Sequence, residues 1–360
     1  MTRSPQALFT PFSIKGVALP NRIVMAPMTR SSSPGGIPGE DVAAYYRRRA
    51  EGGVGLIVTE GTYPPHPSAG FDPKVPHLYG EAALKGWSRV VDGVHAAGGH
   101  IFSQIWHLGL QTSSGPPPPE GMHPVGPSGE FAMTQSDIDA AIEAYAQAAR
   151  SAQQVGFDGI ELHGAHGYLI DQFFFEKTNQ RIDRYGGDLV ARTRFAVEVI
   201  TAVRQRVGPD FPVVLRFSQW KIGDFDAKLA ATPQELERFL RPLVDAGVDV
   251  LHCSTRRFWE PEFEGSNLNL AGWAKKLTGK PTITVGSVTL GDDLTTSFRS
   301  PESVAVTGID DLLDRLERGE FDLVAVGRAL IANPEWPKTV RAGALDQLRP
   351  FDRGILSSLV

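Results

Sequence analysis

Eight short runs rich in Val, Ile and Leu recur along the 360-residue chain, with longer amphipathic stretches between them. They are Arg22–Pro27, Gly55–Thr59, His100–Ile105, Gly159–Leu162, Val213–Phe217, Val250–Cys253, Thr282–Val285 and Leu323–Val326. Apolar with little alternation, they read as strands covered on both faces, the mark of a parallel sheet. Helical patterns fall between them, at Asp41–Glu51, Ala82–Ala97, Ser136–Val155 (Ser136 as the cap), Leu189–Val207, Thr232–Ala246, Leu268–Leu277, Ile309–Arg318 and Pro334–Arg341. In Ala82–Ala97, for example, Leu84, Trp87, Val90, Val91 and Val94 form one stripe, and Thr232-Pro233 places a cap before a proline at the first helical position. Eight βα units close a parallel barrel more economically than they build an open sheet. The expected fold is therefore α/β, a (β/α)8 TIM barrel, in one domain over residues 1–360. Roughly fifty residues separate the third and fourth strands, so a long proline-rich insertion is expected at about 108–134, containing Pro116 to Pro119. It follows a strand's C-terminal end, which makes it both a surface excursion and a candidate rim for a pocket.

Composition removes several classes of function. The net charge is -5 and no basic stripe stands out, which argues against a nucleic-acid partner. One cysteine, Cys253, excludes an intramolecular disulfide and a cysteine-ligated iron–sulfur cluster. Met1 to Thr10 contains no signal-peptide core, and no stretch approaches the length of a membrane span. A cytoplasmic, reducing setting is expected.

In such barrels the chemistry sits at the C-terminal ends of the strands. The first run is followed by Met28, Thr29 and Arg30, and the second by Glu60, Gly61 and Thr62. The third ends in Gln104-Ile105-Trp106-His107, and the fifth carries Arg216 and Ser218. The seventh and eighth close on Gly286-Ser287 and Gly327-Arg328, where barrels often hold phosphate between glycine amides and a cation. Arg216, on a barrel strand, needs a buried acceptor, which either a structural salt bridge or an anionic cofactor would provide.

The fourth run leads into Glu161-Leu162-His163-Gly164-Ala165-His166-Gly167-Tyr168. Two imidazoles three residues apart, with a phenol two further on, can converge on one carbonyl-like or nitro-like oxygen. The same pair also allows a metal site, and with it a metal-assisted hydrolase. That reading wants carboxylates or a third histidine from other strands; no His-x-His occurs early, and no strand end offers a clear Asp partner. His100, His107 and His252 read as structural, Cys253 as a small buried core residue, and Trp106 as pocket wall. Glu60 and Asp171 read as residues that orient backbone.

Taken in order, these residues resemble the old yellow enzyme family of FMN-dependent ene-reductases. The likeness rests on Asn21-Arg22-Ile23-Val24-Met25-Ala26-Pro27-Met28-Thr29-Arg30, on Gln104-Ile105-Trp106-His107, and on His163 to Leu169 continuing to Asp171-Gln172-Phe173. Arg184-Tyr185-Gly186-Gly187, Leu215-Arg216-Phe217-Ser218, and Gly327-Arg328 followed by Ile331-Ala332-Asn333-Pro334 complete it. The resemblance implies tightly bound, non-covalent FMN and NAD(P)H as hydride donor. Thr29 would meet flavin O4, Ala26, Pro27 and Gly61 would line the isoalloxazine, and Gln104 would bond its pyrimidine edge. Arg216 would sit by N1 and O2, and Gly286, Ser287, Gly327 and Arg328 would hold the phosphate. His163 and His166 would grip the acceptor oxygen, with Trp106 in the substrate wall. The implied reaction reduces an activated alkene (enone, enal, maleimide or nitroalkene), hydride from flavin N5 going to the β-carbon and a proton from Tyr168 to the α-carbon. The protein would work as a monomer or homodimer; a flavin barrel without turnover is the further alternative.

The chain also departs from common family patterns. Leu110 stands where many members have an arginine, and Thr29 replaces the cysteine of one branch. The stretch Phe258 to Leu270 and the proline-rich insertion match no assigned role and are expected to shape substrate preference. Phe351 is a candidate cap of the pocket.

Overall fold

Alternate residues of every strand face opposite sides, and here both sides are apolar, so each strand must be covered twice. The computed structural model, which describes residues 4–112, 115–292 and 304–360, satisfies this by closing the sheet on itself. Strands β3 (Ile23–Met25), β4 (Leu56–Thr62), β5 (His100–Ile105), β6 (Gly159–His166), β7 (Val213–Lys221), β8 (Val250–Ser254), β9 (Thr282–Val285) and β10 (Leu323–Val326) form a closed barrel in chain order. All neighbours are parallel, and β10 returns to β3 with Val324 opposite Ile23. The expected single-domain TIM barrel is what forms.

The outward-facing residues, among them Ile101, Ile160, Leu162, Val213, Leu215 and Leu251, belong to a core shared with the surrounding helices. The inward-facing set is a separate cluster that includes Val24, Leu56, Val58, Phe102, Val214, Val250, Ile283 and Leu323. Ile14 and Leu19 belong to this inner cluster although they lie outside the barrel strands. They come from a hairpin of β1 (Phe12–Ile14) and β2 (Val17–Leu19) that plugs the N-terminal mouth. The sequence reading missed this hairpin because three-residue strands carry too few alternations to register.

Each of the eight expected strands is present, but β4, β6 and β7 run on to Thr62, His166 and Lys221. Their extra residues are mostly polar or glycine, so no apolar run marked them. Register shifts between Val58 and Gly61, and between Gly164 and His166, accommodate the longer strands.

The connecting helices are α1 (Glu40–Glu51), α2 (Glu81–Ala96), α3 (Gln135–Val155), α4 (Leu169–Phe174), α5 (Arg194–Val207), α6 (Pro233–Asp245) and α7 (Leu270–Thr278). Helices Asp310–Glu317, Arg328–Ala332 and Trp336–Arg341 follow. Three boundaries correct the reading. The cap of α3 is Thr134, not Ser136: the Thr134 side chain accepts from Asp137 N (3.3 Å), and Asp137 accepts from Thr134 N (2.8 Å), a reciprocal capping box. Helix α5 starts at Arg194, after a separate turn at Ala191–Thr193. Helix α7 starts at Leu270 and is capped by Asn269, which accepts from Gly272 N at 2.9 Å. Thr232 caps α6 and Pro233 opens it, as expected.

Candidate active site

Along the inner face, apolar residues give way to polar ones toward the C-terminal end: Phe102 to Gln104, Val214 to Arg216, Val250 to His252. These polar groups meet on one carboxylate. Gln104 Nε2 donates to Glu161 Oε1 at 2.8 Å, and His252 Nδ1 lies 2.6 Å from Glu161 Oε2. Burial pushes the Glu161 carboxyl up, but His252, Arg216 and Gln104 outweigh it, holding the group below its usual value and ionised. Burial also holds His252 below its usual value, so it is the neutral N–H donor of the pair. His252 is the structural histidine that was expected, and its partner is the Glu161 carboxylate beneath the site. Arg216 donates to Ser254 Oγ at 3.2 Å, while its Nε is buried with no hydrogen-bond partner.

Above this floor stand His163, His166 and Tyr168. The His163 and His166 rings are 5.0 Å apart, and Tyr168 sits edge-on to His163 at 4.8 Å. Trp106 closes the group, 5.0 Å from Tyr168 at 87°. Burial, then the Arg216 guanidinium, hold both imidazoles well below their usual values, so both are neutral. Their tautomers follow from their partners. His163 Nδ1 accepts from Ala165 N (3.3 Å), which leaves the proton on Nε2. His166 Nε2 lies 2.7 Å from Ser254 Oγ, which also accepts from Arg216; a Ser254 proton donated to Nε2 puts the His166 ring proton on Nδ1. His166 has φ 66°, a left-handed conformation imposed by the register shift before it.

The strand ends at β9 and β10 form a second cradle. Gly286 has φ 148°, and a Cβ there would lie 2.8 Å from Thr255 O and 2.9 Å from Arg257 N, so only glycine fits. Ser287 Oγ is within reach of the Arg256 and Asp292 carbonyls, and Arg328 donates to Asp292 O at 2.8 Å. Phe351 is buried with its ring 5.8 Å from the Arg328 guanidinium, so the C-terminal segment covers this cradle. At the end of β3, Ala26 is buried, Pro27 half-buried and Thr29 exposed. Gly61 is buried against the Trp106 indole, which a Cβ would strike at 2.5 Å. Glu60 Oε2 accepts from Arg30 N (2.9 Å) and Ser31 N (3.0 Å), which fixes the loop that carries Thr29.

Two residues important here went unremarked in the sequence, Ser254 and Trp220. Trp220 stacks on His166 at 4.4 Å and donates to Ser254 O at 3.1 Å. Only the polar continuation of β7 past Phe217 could have drawn attention to Trp220. The two unassigned segments behave differently from each other. Phe258 is buried, its N–H donates to Gly286 O at 3.1 Å, and Asn269 donates to Phe258 O at 2.8 Å, so this stretch supports the second cradle. Pro119 and Met122 of the insertion line a cleft of about 440 Å³ with Tyr63, His66, Phe71 and Tyr79, on the far side of the Tyr63–Trp106 contact. Residues 113 and 114 of the insertion lie outside the described residues.

Residues 7–347 match the NADH:flavin oxidoreductase / NADH oxidase family. The chain belongs to the old yellow enzyme family. Membership makes it an NAD(P)H-dependent flavin oxidoreductase by class, with FMN as the family's flavin. It is 37% identical over 367 residues to an NADH oxidase of Thermoanaerobacter brockii, covering 97% of this chain and 52% of that protein. It thus spans about half the length of that relative. It is 33% identical to 12-oxophytodienoate reductase 7 of Oryza sativa subsp. japonica, covering 95% of this chain and 90% of the reductase. Among solved structures, morphinone reductase in complex with tetrahydroNAD superposes with TM-score 0.78 at 30% identity, over 97% of this chain and 93% of that one. An old yellow enzyme homologue from Zymomonas mobilis gives TM-score 0.80 at 27% identity, over 97% and 96%.

One observation on this chain fits the family's flavin: Arg216 presents a buried, unpartnered Nε at the floor. The metal-assisted alternative lacks a ligand set: among the described residues no three His, Cys, Asp or Glu side chains are grouped to hold an ion.

Proposed function

We propose that the chain is an ene-reductase that holds FMN tightly but non-covalently across the strand ends and reduces activated alkenes: enones, enals, maleimides or nitroalkenes. The observation that carries this reading is the convergence of two neutral imidazoles and a phenol over a floor that holds a buried guanidinium. When bound, FMN supplies the hydride chemistry, with NAD(P)H as the source. Arg216 opposes negative charge at the flavin's N1 and O2 edge, and Gln104 bonds its pyrimidine side. Thr29 meets O4, and Ala26, Pro27 and Gly61 line the ring. Gly286, Ser287, Gly327 and Arg328 hold the phosphate.

His163 Nε2–H and His166 Nδ1–H polarise the acceptor oxygen and stabilise the enolate-like charge that develops there, worth on the order of a few kcal/mol per donor. Tyr168 O–H delivers the proton to the α-carbon, and Trp106 walls the substrate. No helix among the described residues is long and apolar enough to cross a membrane. The only thiol, Cys253, is buried, which suits a reducing, cytoplasmic setting.

The test is the visible spectrum of the purified protein under anaerobic conditions. A flavin spectrum that bleaches with NADPH and returns with 2-cyclohexenone is the expected result. Protein that takes up no FMN would overturn the proposal. FMN that NAD(P)H reduces but no alkene reoxidises, or that NAD(P)H fails to reduce, would favour a flavin barrel without ene-reduction.

A further inference from the structure

The turn from β6 into α4 carries His166 and Tyr168 on either side of Gly167, which has φ 85°. A glycine between the two groups gives the turn freedom that their alignment cannot tolerate, so something must hold the Gly167 backbone. Asp171 Oδ2 accepts from Gly167 N at 2.6 Å, and Gln172 Nε2 donates to Gly167 O at 2.7 Å. The carboxylate is itself held: Asp171 Oδ1 is 3.0 Å from Lys221 Nζ, with the two side chains 0% and 5% exposed. Lys221 ends β7, where its ammonium also donates to Ser218 O (3.1 Å) and Gln219 O (2.9 Å) and lies 5.3 Å from the Phe175 ring. The same extension of β7 grips His166 directly. Ser218 Oγ accepts from His166 N (3.0 Å), Ile222 N donates to His166 O (3.2 Å), and Trp220 stacks on the imidazole.

Burying two charges costs several kcal/mol per ion, and apolar residues of similar volume often serve stability as well or better. An ion pair at this depth therefore calls for a geometric role, and its geometry leads to one backbone N–H. We propose that Asp171 and Lys221 are positioning residues of the acceptor site, fixing Gly167 and through it the placement of His166 and Tyr168. The inference rests on the ene-reductase reading of the same site.

The test compares two double variants of the FMN-loaded protein, both without the charge pair. Lys221→Met with Asp171→Asn keeps an acceptor for Gly167 N, whereas Lys221→Met with Asp171→Leu removes it. Each is titrated with 4-chlorophenol, whose phenolate gives a long-wavelength charge-transfer band over oxidised flavin. The asparagine variant is expected to bind within about threefold of wild type, and the leucine variant about tenfold or more weaker, the size of one hydrogen bond to a well-placed acceptor. FMN occupancy should match between the two variants; a merely structural role would lower the melting temperature of the leucine variant, which leaves Gly167 N without its acceptor, but would leave its phenol affinity equal to that of the asparagine variant. Equal phenol affinity in the two variants overturns the positioning role. If the leucine variant fails to hold FMN, Asp171→Glu keeps the charge pair but moves the carboxylate by one methylene. It should show the same loss of affinity, and unchanged affinity there also overturns the proposal. A wild-type protein that holds FMN and yields no band removes the acceptor-site reading and this inference with it, an outcome distinct from equal variants.

Discussion

His163 and His166 serve as hydrogen-bond donors only while neutral and correctly protonated, and both conditions come from neighbours. Burial and the Arg216 guanidinium hold them well below their usual values, while the Ala165 N–H donating to His163 Nδ1 leaves that ring's proton on Nε2. Tyr168 stands against His163 and Trp106, and the proposed reaction makes it the proton donor. Tyr168→Phe is expected to slow alkene-driven reoxidation by 10²-fold or more, the usual worth of a positioned general acid, with flavin reduction by NADPH little changed. Stopped-flow traces of the two half-reactions check this, and equal slowing of both would exclude the proton-donor role. Glu60 titrates elsewhere: burial raises its carboxyl from 4.5 to about 7, against the pull of the Arg30 and Ser31 N–H groups. A folded value above the unfolded one means that the native state binds the extra proton. Its contribution to stability is therefore full below about pH 4.5 and is lost as pH rises toward 7. Glu60→Gln should remove that part of the slope, roughly 3 kcal/mol at most, in urea unfolding compared with wild type at pH 5 and pH 7.

At the scale of the element, what matters is where each strand stops. The C-terminal ends of β4, β6 and β7 extend beyond their apolar runs, and the extensions carry Glu60, His166 and Trp220. An apolar run marks the part of a strand that faces other apolar groups, so it ends where the site begins. The end of β9 shows the opposite constraint. Gly286 must remain glycine because the loop at Thr255 to Arg257 crosses directly over its α-carbon. Gly286→Ala is expected to push that loop away and weaken FMN retention about tenfold or more, with the barrel still folded. Equilibrium dialysis of the flavin, beside a circular dichroism melt, measures both effects. Full FMN retention would mean that β9 does not contribute to the phosphate cradle.

The whole molecule separates stability from chemistry along the barrel axis. The N-terminal mouth is sealed by the β1–β2 hairpin, whose Ile14 and Leu19 pack into the same cluster as Leu56, Val250 and Leu323. The opposite mouth carries the buried polar groups. Leu19 is 1% exposed, so Leu19→Ala should cost roughly 2–5 kcal/mol in urea unfolding. Phenol affinity of the flavin-loaded protein should stay at the wild-type value, because the deletion lies at the far end of the barrel. A loss of phenol binding together with the loss of stability would mean that the two ends are mechanically coupled.

Local and periodic information sufficed for the eight strands, for the Thr232-Pro233 helix start and for the strand ends where polar residues cluster. Those features are written in consecutive residues, because a strand buried on both faces must be apolar throughout and a barrel of such strands puts its functional groups at one end. The motif from His163 to Tyr168 was legible for the same reason, being contiguous. Tertiary structure decided what depends on residues far apart in the chain. His252 became a partner of Glu161 only when β6 and β8 were brought to either side of β7 in one barrel, 91 residues apart in sequence. Ser254 reaches His166 across 88 residues, and Lys221 meets Asp171 only because β7 pairs with β6. Such pairings leave no periodic trace, since each partner alone is an ordinary serine, histidine or charged residue. What makes each of them specific is burial beside one other group, and only the closed barrel supplies that.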